Sequence, residues 1–462
     1  MTERQRWTLL VVCLATGVLL LNVSAPSVTL PAVGRDLGAD LSVLQWVVSG
    51  YSLALAATLL TAGTLADLVG RRRMFVGGLA GFAAASVLCA VAPSALVLIA
   101  GRATQGLAGA VLLSSSLALL AQDFTGTARA GAIGIWGATV AAAFAIGPLE
   151  GGLLTESFGW RAIYVVDVAV ALACLPVATR RLRESRDPDA EGVDWWGTVT
   201  LSSGLFLGVF ALTRGDVAGW GSGLILASAA GAALLLAAFV VVERREREPM
   251  LDLGLFAIPT FTGASVVVLV MAASTFGPFL YLTLFLLDGA GTSPTAVGLQ
   301  LLPLSGAALV VSVLGGRYAS VLPVRVALPA GQLLCATGLL AIRGLEASSS
   351  WTVMLPGLLL LGVGIGLANP AVTYAALGVV PATRSGMASG VNNTFRQVGI
   401  AIGIAVLGTL LPARIEGDPA AFADALDQIL LVSAGVAIAG AALAATLDRQ
   451  RDFVTDPVPA GA

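Results

Sequence analysis

The chain has 462 residues, of which 57% are hydrophobic and 11% are charged, and its formal net charge at pH 7 is −2. This number of charges is too small to cover the surface of a soluble protein of this size. The composition therefore excludes a soluble fold and predicts an integral membrane protein. Histidine is absent and all 25 basic residues are arginines, which argues against a zinc site or histidine-based catalysis. We expect no cofactor, no metal and no nucleic-acid partner.

The hydrophobic residues are arranged in long runs. A helix needs about 20 mostly apolar residues to cross the hydrocarbon core, and runs of that length recur along the whole chain. The alternating pattern of membrane strands is absent from the sequence, which favours helices over a barrel. The sequence predicts fourteen spans: Leu9–Leu30, Leu44–Leu65, Met74–Val91, Ala95–Ala121, Ala130–Leu154, Ala162–Val177, Trp196–Leu212, Gly223–Val242, Phe261–Leu287, Ala296–Leu314, Val324–Ile342, Val353–Val379, Gly386–Leu411 and Ile429–Leu447.

Charge between the spans predicts orientation and domain organisation. Most arginines fall in the even-numbered breaks or at the termini, so the positive-inside rule predicts that both termini are cytoplasmic. A polar segment after the sixth span and a second charged break after the eighth divide the chain into six, two and six helices. The predicted units are an N-terminal half at 1–180, linkers with two extra helices at 181–257, and a C-terminal half with a short tail at 258–462.

The break between the second and third spans carries an acid and three arginines around glycines. Its residues include Gly63, Asp67, Gly70 and the run Arg71, Arg72 and Arg73. We expect Asp67 to pair with one of these arginines or with a facing helix end, and so to hold the cytoplasmic side closed until the pair breaks. The arginines also fix topology, and the two roles are compatible.

This loop and three further segments together resemble the fourteen-helix drug:proton antiporter branch of the major facilitator superfamily. The further segments are Gln45, Trp46 and Tyr51 in the second span, Arg102, Gln105, Gly106 and Gly109 in the fourth, and Gly147, Pro148, Gly151 and Gly152 in the fifth. The resemblance covers nearly the whole chain. It implies two six-helix halves plus two helices, and alternating-access export of lipophilic or amphipathic, including cationic, small molecules in exchange for protons. It also implies a monomer in the inner membrane of a bacterium.

Several of these residues have a physical reason to be functional. Arg102 lies inside a span, where a charge is costly and faces the bundle interior or a wet cavity. The resemblance implies a role in proton transfer, while the alternative is a structural arginine bonded to helix carbonyls. Pro148 is expected to kink its helix, and Gly147, Gly151 and Gly152 to allow the close backbone approach that a rocking interface needs.

One departure from the family pattern concerns the acid that the family carries in its first helix. Here the matching position is Asn22, which cannot titrate, while Glu150 and Asp167 appear in the fifth and sixth spans. We hypothesise that Glu150, with Asp167 as its partner or alternative, replaces the missing acid, loading a proton from outside and releasing it inward. The alternatives are that Glu150 is solvated near the outer surface and that Asp167 pairs with Arg161 or a neighbouring helix.

A substrate cavity between the halves is expected to be lined by apolar and aromatic residues with few charges, which suits lipophilic compounds. The candidates are Asn22, Trp46, Tyr51, Phe144, Tyr281, Phe285, Asn392, Asn393 and Arg396. The alternative function is a facilitator or symporter of a small metabolite, which Asn22 favours and the Gly147 to Gly152 motif opposes. No cluster of catalytic residues supports an enzyme.

Overall fold

A computed structural model describes residues 1–124, 126–186, 192–246, 249–318, 323–346, 349–380, 385–411, 419–447 and 452, so most of the predicted tail lies outside the described residues. Within these ranges the regular structure is helical throughout. The longer helices are α1 Glu3–Ser24, α2 Pro26–Leu37, α3 Leu41–Val69, α4 Arg71–Ala90, α5 Ala95–Asp123, α6 Gly126–Phe158, α7 Ala162–Arg181, α8 Trp195–Ala218, α9 Gly223–Glu243, α10 Pro259–Leu284, α11 Pro294–Tyr318, α12 Val324–Ile342, α13 Leu355–Gly378, α14 Ser385–Gly408 and α15 Pro419–Leu447.

The helices are those of a multi-pass membrane protein, as the composition predicts. Within the described ranges, twelve of them are long and apolar enough to cross a membrane, and bent α6 makes a thirteenth if it is taken as one span. Helix α14 corresponds to the predicted span Gly386–Leu411 but does not meet the same criterion. It carries Asn392, Asn393, Arg396 and Gln397, which lower its hydropathy.

The helix ends lie at two faces. We call the one where α3 passes into α4 the Gly70 face and the one where α6 passes into α7 the Gly159 face. Both glycines have positive φ, 123° and 84°, a backbone conformation that costs little only for glycine. At the Gly159 face, Arg161 pairs with Asp36, and the guanidinium together with the Trp160 Nε1–H lowers the pKa of that carboxyl below its ordinary value.

The first predicted span is broken in two, because α1 ends at Ser24 and α2 begins at Pro26. Proline has no N–H, so the carbonyl of Asn22, four residues earlier, loses its helical donor. That carbonyl instead accepts a hydrogen bond from Nη2 of Arg102 at 2.8 Å. Apolar periodicity predicts the span but does not show this break, which turns a backbone acceptor toward the interior.

A second proline acts in the same way in α6, which bends by 45° between its 131–144 and 146–158 parts. Pro148 removes the donor for the carbonyl of Phe144, and Oγ of Ser24 donates to that carbonyl at 3.5 Å. A Cβ on Gly147 would lie 2.0 Å from the same Ser24 oxygen. The bend and the close approach expected at this motif are therefore both present, and they join α6 to the break between α1 and α2.

Helix α6 also carries one of the contacts between helices α1–α7 and helices α10–α15, which we call the two groups. A Cβ on Gly152 would lie 2.2 Å from the carbonyl oxygen of Pro294, at the start of α11. Nearby, Oε2 of Glu156 accepts from the backbone N–H of Thr295 at 3.1 Å. Toward the Gly70 face, by contrast, a Cβ on Gly137 would meet no atom within 4 Å. The seam between α6 and α11 is thus closed at the Gly159 face.

We predict that Gly152→Val forces the ends of α6 and α11 apart at the Gly159 face. Overpacking of this kind costs about 1–3 kcal/mol, enough to shift a two-state equilibrium about 5- to 150-fold. Labelling of single cysteines placed along this seam, from the Gly159 side, measures the change. Gly137→Val, which adds the same side chain on the same helix in open space, is the control and should leave labelling unchanged. Unaltered labelling in Gly152→Val contradicts the prediction.

Candidate functional site

Arg102 is fully buried in α5, and its guanidinium is surrounded by acceptors. Nε donates to the carbonyl of Val47 at 3.0 Å, and Nη2 donates to the carbonyl of Asn22 at 2.8 Å. Nη1 donates to Oδ1 of Asn22 at 3.1 Å and to Oε1 of Gln105 at 2.6 Å. The ring of Tyr51 lies 4.2 Å from the guanidinium carbon, in cation–π geometry. A cation inside the bundle is therefore balanced by dipoles from α1 and α3.

The same two amides carry the interaction on to Asp167 of α7. Because a guanidinium can only donate, the amide oxygens of Asn22 and Gln105 face Arg102 and their NH2 groups face away. Nδ2 of Asn22 donates to Oδ1 of Asp167 at 2.8 Å, and Nε2 of Gln105 donates to Oδ2 at 3.1 Å. Asp167 is 3% exposed. The site is therefore an arginine and a buried carboxyl group bridged by two amides, and we call these four residues the buried network.

The network lies at a common depth. Arg102 is seven residues from the start of α5 and Asp167 five from the start of α7, which places both about 8–10 Å from the helix ends at the Gly159 face.

Nε2 of Gln105 also donates to Oγ of Ser86 in α4 at 2.9 Å. Arg161 pairs with Asp36 instead of Asp167. Asp167 thus takes the alternative of bonding to neighbouring helices.

Glu150 lies near the network on α6 without joining it by a hydrogen bond. Its Oε2 atom is buried and has no hydrogen-bond partner among the described residues. The charges of Glu150 and Asp167 are near enough to interact. An unpartnered buried carboxylate is costly, so this oxygen is suited to holding a proton or a cation.

The loop after α3 is held within the first six helices. Asp67 Oδ1 pairs with Nη2 of Arg71 at 2.8 Å, one turn away on the chain. Glu184, which follows α7, accepts from the N–H of Arg72 at 3.1 Å and lies 3.8 Å from Nε of Arg73. A Cβ on Gly70 would lie 2.6 Å from the same carboxylate. The arginines therefore hold the segment after α7 against the start of α4, while Gly63 packs loosely near Ser114.

The aromatic candidates do not converge on one surface. Tyr51 donates to the carbonyl of Leu19 at 2.8 Å within the first six helices, and Trp46 packs against Phe206 of α8 at 5.4 Å between ring centroids. Phe285 packs against Phe422 and lines a cavity at the Gly159 face. Sequence periodicity identifies helices but does not tell which face of each helix meets which neighbour.

Two aromatic candidates do lie between the two groups of helices. Phe144 of α6 packs against Phe276 of α10, with ring centroids 5.4 Å apart. Tyr281 of α10 accepts from Nε2 of Gln45 of α3 at 3.1 Å and donates to the carbonyl of Ile404. The motif residue Gln45 is therefore part of a contact between the groups, which its position in the sequence alone does not indicate.

The polar candidates of α14 are partly unpartnered. Asn392 is 4% exposed, and its Nδ2 atom has no hydrogen-bond partner among the described residues. Asn393 donates to the carbonyl of Ser389 one turn earlier at 3.0 Å. Arg396 donates through Nη1 to Oδ1 of Asn369 in α13. A free amide on Asn392 is a hydrogen-bond donor available to a ligand, whereas Arg396 is held by its neighbour.

Two residues of these sites carry no signal in the sequence reasoning. Ser86 is a lone serine in an apolar helix, and Glu184 is one of several charges in a polar linker. Only the packing of α4 against α5 and α7 gives them partners. No spacing pattern within one helix predicts such contacts.

A multi-pass helical protein with a charged network enclosed between its helices has the design of a membrane transporter. Residues 12–404 match the sequence model of the Major Facilitator Superfamily, and the chain belongs to that family. This supports a transporter and not an enzyme. The chain is thus a multi-pass transporter related to drug and antibiotic resistance exporters.

Relatives with assigned names are resistance and export proteins. The chain is 35% identical to the tetracenomycin C resistance and export protein of Streptomyces glaucescens, over 88% of this chain and 76% of the relative. It is 36% identical to the multidrug resistance protein Stp of Mycobacterium tuberculosis, over 90% and 78%. It is 36% identical to the puromycin resistance protein of Streptomyces alboniger, over 88% and 82%.

Solved structures share the fold. A bacterial homologue of the human lysosomal transporter Spinster, in an inward-facing and unoccupied conformation, has a TM-score of 0.70 at 17% identity, over 99% of this chain and 100% of the other. The human organic anion transporter MFSD10 has a TM-score of 0.66 at 17% identity, over 96% and 100%. At this identity the likeness concerns the fold alone.

We predict that Gln105→Leu destabilises the protein, because it removes one of the two amide bridges and leaves polar atoms of Arg102, Asp167 and Ser86 with one partner fewer. Leaving a buried polar group unsatisfied costs about 1–3 kcal/mol, more where charges are involved. Thermal unfolding of the purified protein in detergent measures the loss. Thr104→Val, an exposed change on the same helix, is the control. A melting temperature equal to that of wild type contradicts the role of Gln105 in the network.

Proposed function

We propose that the protein exports lipophilic or amphipathic small molecules, antibiotics among them, in exchange for protons by alternating access. The observation that carries this proposal is Asp167, a buried carboxyl that two amides link to Arg102. Support for the substrate class comes from the relatives, whose names describe resistance to and export of antibiotics.

Protonation of Asp167 changes the network in a defined way. The ionised carboxylate accepts a hydrogen bond on each oxygen, one from Asn22 and one from Gln105. A proton on either oxygen weakens the hydrogen bond that a side-chain amide donates to that oxygen. It also removes the negative charge that faces Arg102 across the two amides. The amide oxygens stay on Arg102, while the NH2 groups of Asn22 and Gln105 are held less tightly to Asp167. The buried network therefore has two arrangements that differ by one proton.

The change can reach the seam through the break between α1 and α2. Asn22 lies two residues before Ser24, whose hydroxyl contacts Phe144 and Gly147 of α6. Helix α6 in turn meets Pro294 of α11 through Gly152. We propose that protonation shifts the α1–α2 break, and with it the closed ends of α6 and α11. The bend at Pro148 lets the two parts of α6 move separately.

Glu150 is the second proton-carrying group in this proposal, since it has a buried unpartnered oxygen and interacts electrostatically with Asp167. Its position on α6, two residues before Gly152 of the seam, also suits it to hold a cationic substrate. A proton and a cation would then compete for the same carboxylate, which is the simplest form of exchange.

The same proposal includes orientation and architecture. We propose that the Gly70 face, with both termini, lies in the cytoplasm of a bacterium, which the arginine clusters support. We also propose that the Asp67 to Arg73 loop controls opening there. In α14, Gly390 lies beside Leu60 of α3 and Gly408 lies beside Gln45 of α3. Helix α14 therefore runs alongside α3 between these two contacts. We therefore propose fourteen spans, with the halves at 1–180 and 258–462 and the extra helices between them, in a monomer of the drug:proton antiporter branch.

Substrate contacts are proposed for the inter-group surface. Phe144 with Phe276 offers an aromatic wall, and the free amide of Asn392 offers a donor. These three side chains are uncharged, which suits lipophilic compounds better than sugars or phosphates. Trp46 and Phe285 contact other parts of the molecule and are weaker candidates.

Everted membrane vesicles test the coupling. We expect Asp167→Asn to reduce proton-driven drug transport by about tenfold or more, because the amide has no titratable proton, while uptake in counterflow without a pH gradient continues. The double variant Asn22→Asp with Asp167→Asn should regain a large part of the coupled transport. It exchanges the acid and the amide across the 2.8 Å hydrogen bond that already joins these two side chains.

Asp424→Asn, which neutralises an exposed acid at the start of α15, is the matched control and should transport like wild type. Full proton-driven transport by Asp167→Asn overturns the assignment of Asp167. If wild type shows counterflow and no response to the pH gradient, the protein is a facilitator and not an antiporter.

A further inference from the structure

Away from the buried network, two further carboxyl groups face each other where α8 begins and α9 ends. Asp194 and Glu243 are 6% and 4% exposed. One oxygen of each accepts a backbone N–H: Asp194 Oδ1 from Gly197 at 2.6 Å, and Glu243 Oε2 from Leu251 at 3.2 Å. The remaining oxygens, Oδ2 and Oε1, are buried and have no donor among the described residues.

The free oxygens converge above Gly197. A Cβ at this glycine would lie 2.1 Å from Oδ2 of Asp194 and 2.8 Å from Oε1 of Glu243. Both oxygens therefore border the same small space beside Gly197. Any side chain at position 197 would occupy the space in which they meet, so the absence of a side chain on Gly197 permits the contact.

The surroundings do not balance two negative charges. Within the described ranges no ion pair joins Asp194 or Glu243 to an arginine, and the other charged group that acts on Glu243 is a further acid, Glu246. The groups beside the pair from α8, from α3 and from the segment after α9 are uncharged: Thr198, Thr61 and Met250. Two carboxyl groups in such a site cannot both ionise without strong repulsion.

We propose that Asp194 and Glu243 share one proton and form a clasp that responds to the pH on the Gly70 face. The shared proton makes an O–H···O hydrogen bond between Oδ2 of Asp194 and Oε1 of Glu243. At alkaline pH the proton passes to water, the hydrogen bond is lost, and the two carboxylates repel each other. The inference depends on the proposed function only for naming this side as the cytoplasm.

The clasp holds a junction between the extra helices and both groups. The backbone N–H of Leu251 donates to Glu243, and beside it Thr198 of α8 shares a hydrogen bond of 2.6 Å with Thr61 of α3. An apolar cluster around Leu251 joins these helices to α10 and α14. Its buried members are Leu60, Leu201, Phe239, Met250, Leu251, Leu255, Phe261, Val379, Val380, Ala388 and Val391. Opening the clasp therefore loosens the Gly70-face seam between α3 and α14.

Hydrogen–deuterium exchange of the purified full chain in detergent tests this inference without substrate or a proton gradient. The readout is protection in peptides covering residues 192–200 and 249–257 at about pH 6 and about pH 9, corrected for the intrinsic exchange rate. Wild type should lose about tenfold in protection between the two, the effect expected when one titrating group differs by about one pKa unit between closed and open forms.

Glu243→Gln and Asp194→Asn should remove this step. In each variant the new amide donates permanently to the remaining carboxylate, and in Asp194→Asn the amide oxygen can still accept from the N–H of Gly197. Both variants should therefore stay protected at both pH values. Asp424→Asn, which neutralises an exposed acid on α15, is the control and should keep the wild-type step.

The absence of a step in wild type overturns the shared proton. So does a step of wild-type size in either amide variant. Gel filtration of each variant checks that it is folded, and if one fails to fold, the other and wild type still decide the question. Transport measurements do not enter the test, so its failure is separate from failure of the proposed export.

Discussion

The amide-bridged contact between Arg102 and Asp167 is the constraint on which the packing of helices α1–α7 depends. A guanidinium inside a membrane protein is tolerated only when its donors are satisfied, and here acceptors from α1, α3 and α5 itself satisfy them. Because arginine only donates, both amides turn their oxygens toward it. Their NH2 groups then donate to the carboxyl group of Asp167. Four helices are thereby positioned around one buried charge pair.

The helix breaks supply what this arrangement needs. Pro26 frees the carbonyl of Asn22 for Arg102, and Pro148 frees the carbonyl of Phe144 for Ser24. Each break exchanges a helical hydrogen bond for one between helices. The line of contacts from Asp167 to α6 runs through the side chain of Asn22, the hydroxyl of Ser24 and the close packing at Gly147.

Much of the fold and the chemistry of the site were predictable from the sequence, and their assembly was not. The long apolar runs predict helices, and Arg102, Asn22 and Asp167 each stand out as polar residues within them. That Asp167 bonds to Asn22 itself depends on the packing of α1 against α7, which no local pattern encodes. Asp167 thus lies beside Asn22, the position at which the resemblance leads one to expect an acid. The neighbours of Trp46 and Phe285 were not predictable either, since hydropathy does not show which apolar residues pack against each other.

The most direct test of this account is proton release by the purified protein in weakly buffered detergent when a transported drug is added. The account predicts that wild type releases protons, that Asp167→Asn does not, and that the exchange of Asn22→Asp with Asp167→Asn restores the release. A pH-sensitive dye measures the signal, and a known amount of acid calibrates it. Release of the same number of protons by Asp167→Asn, with drug binding intact, would show that the coupling proton is held elsewhere and would contradict the central claim.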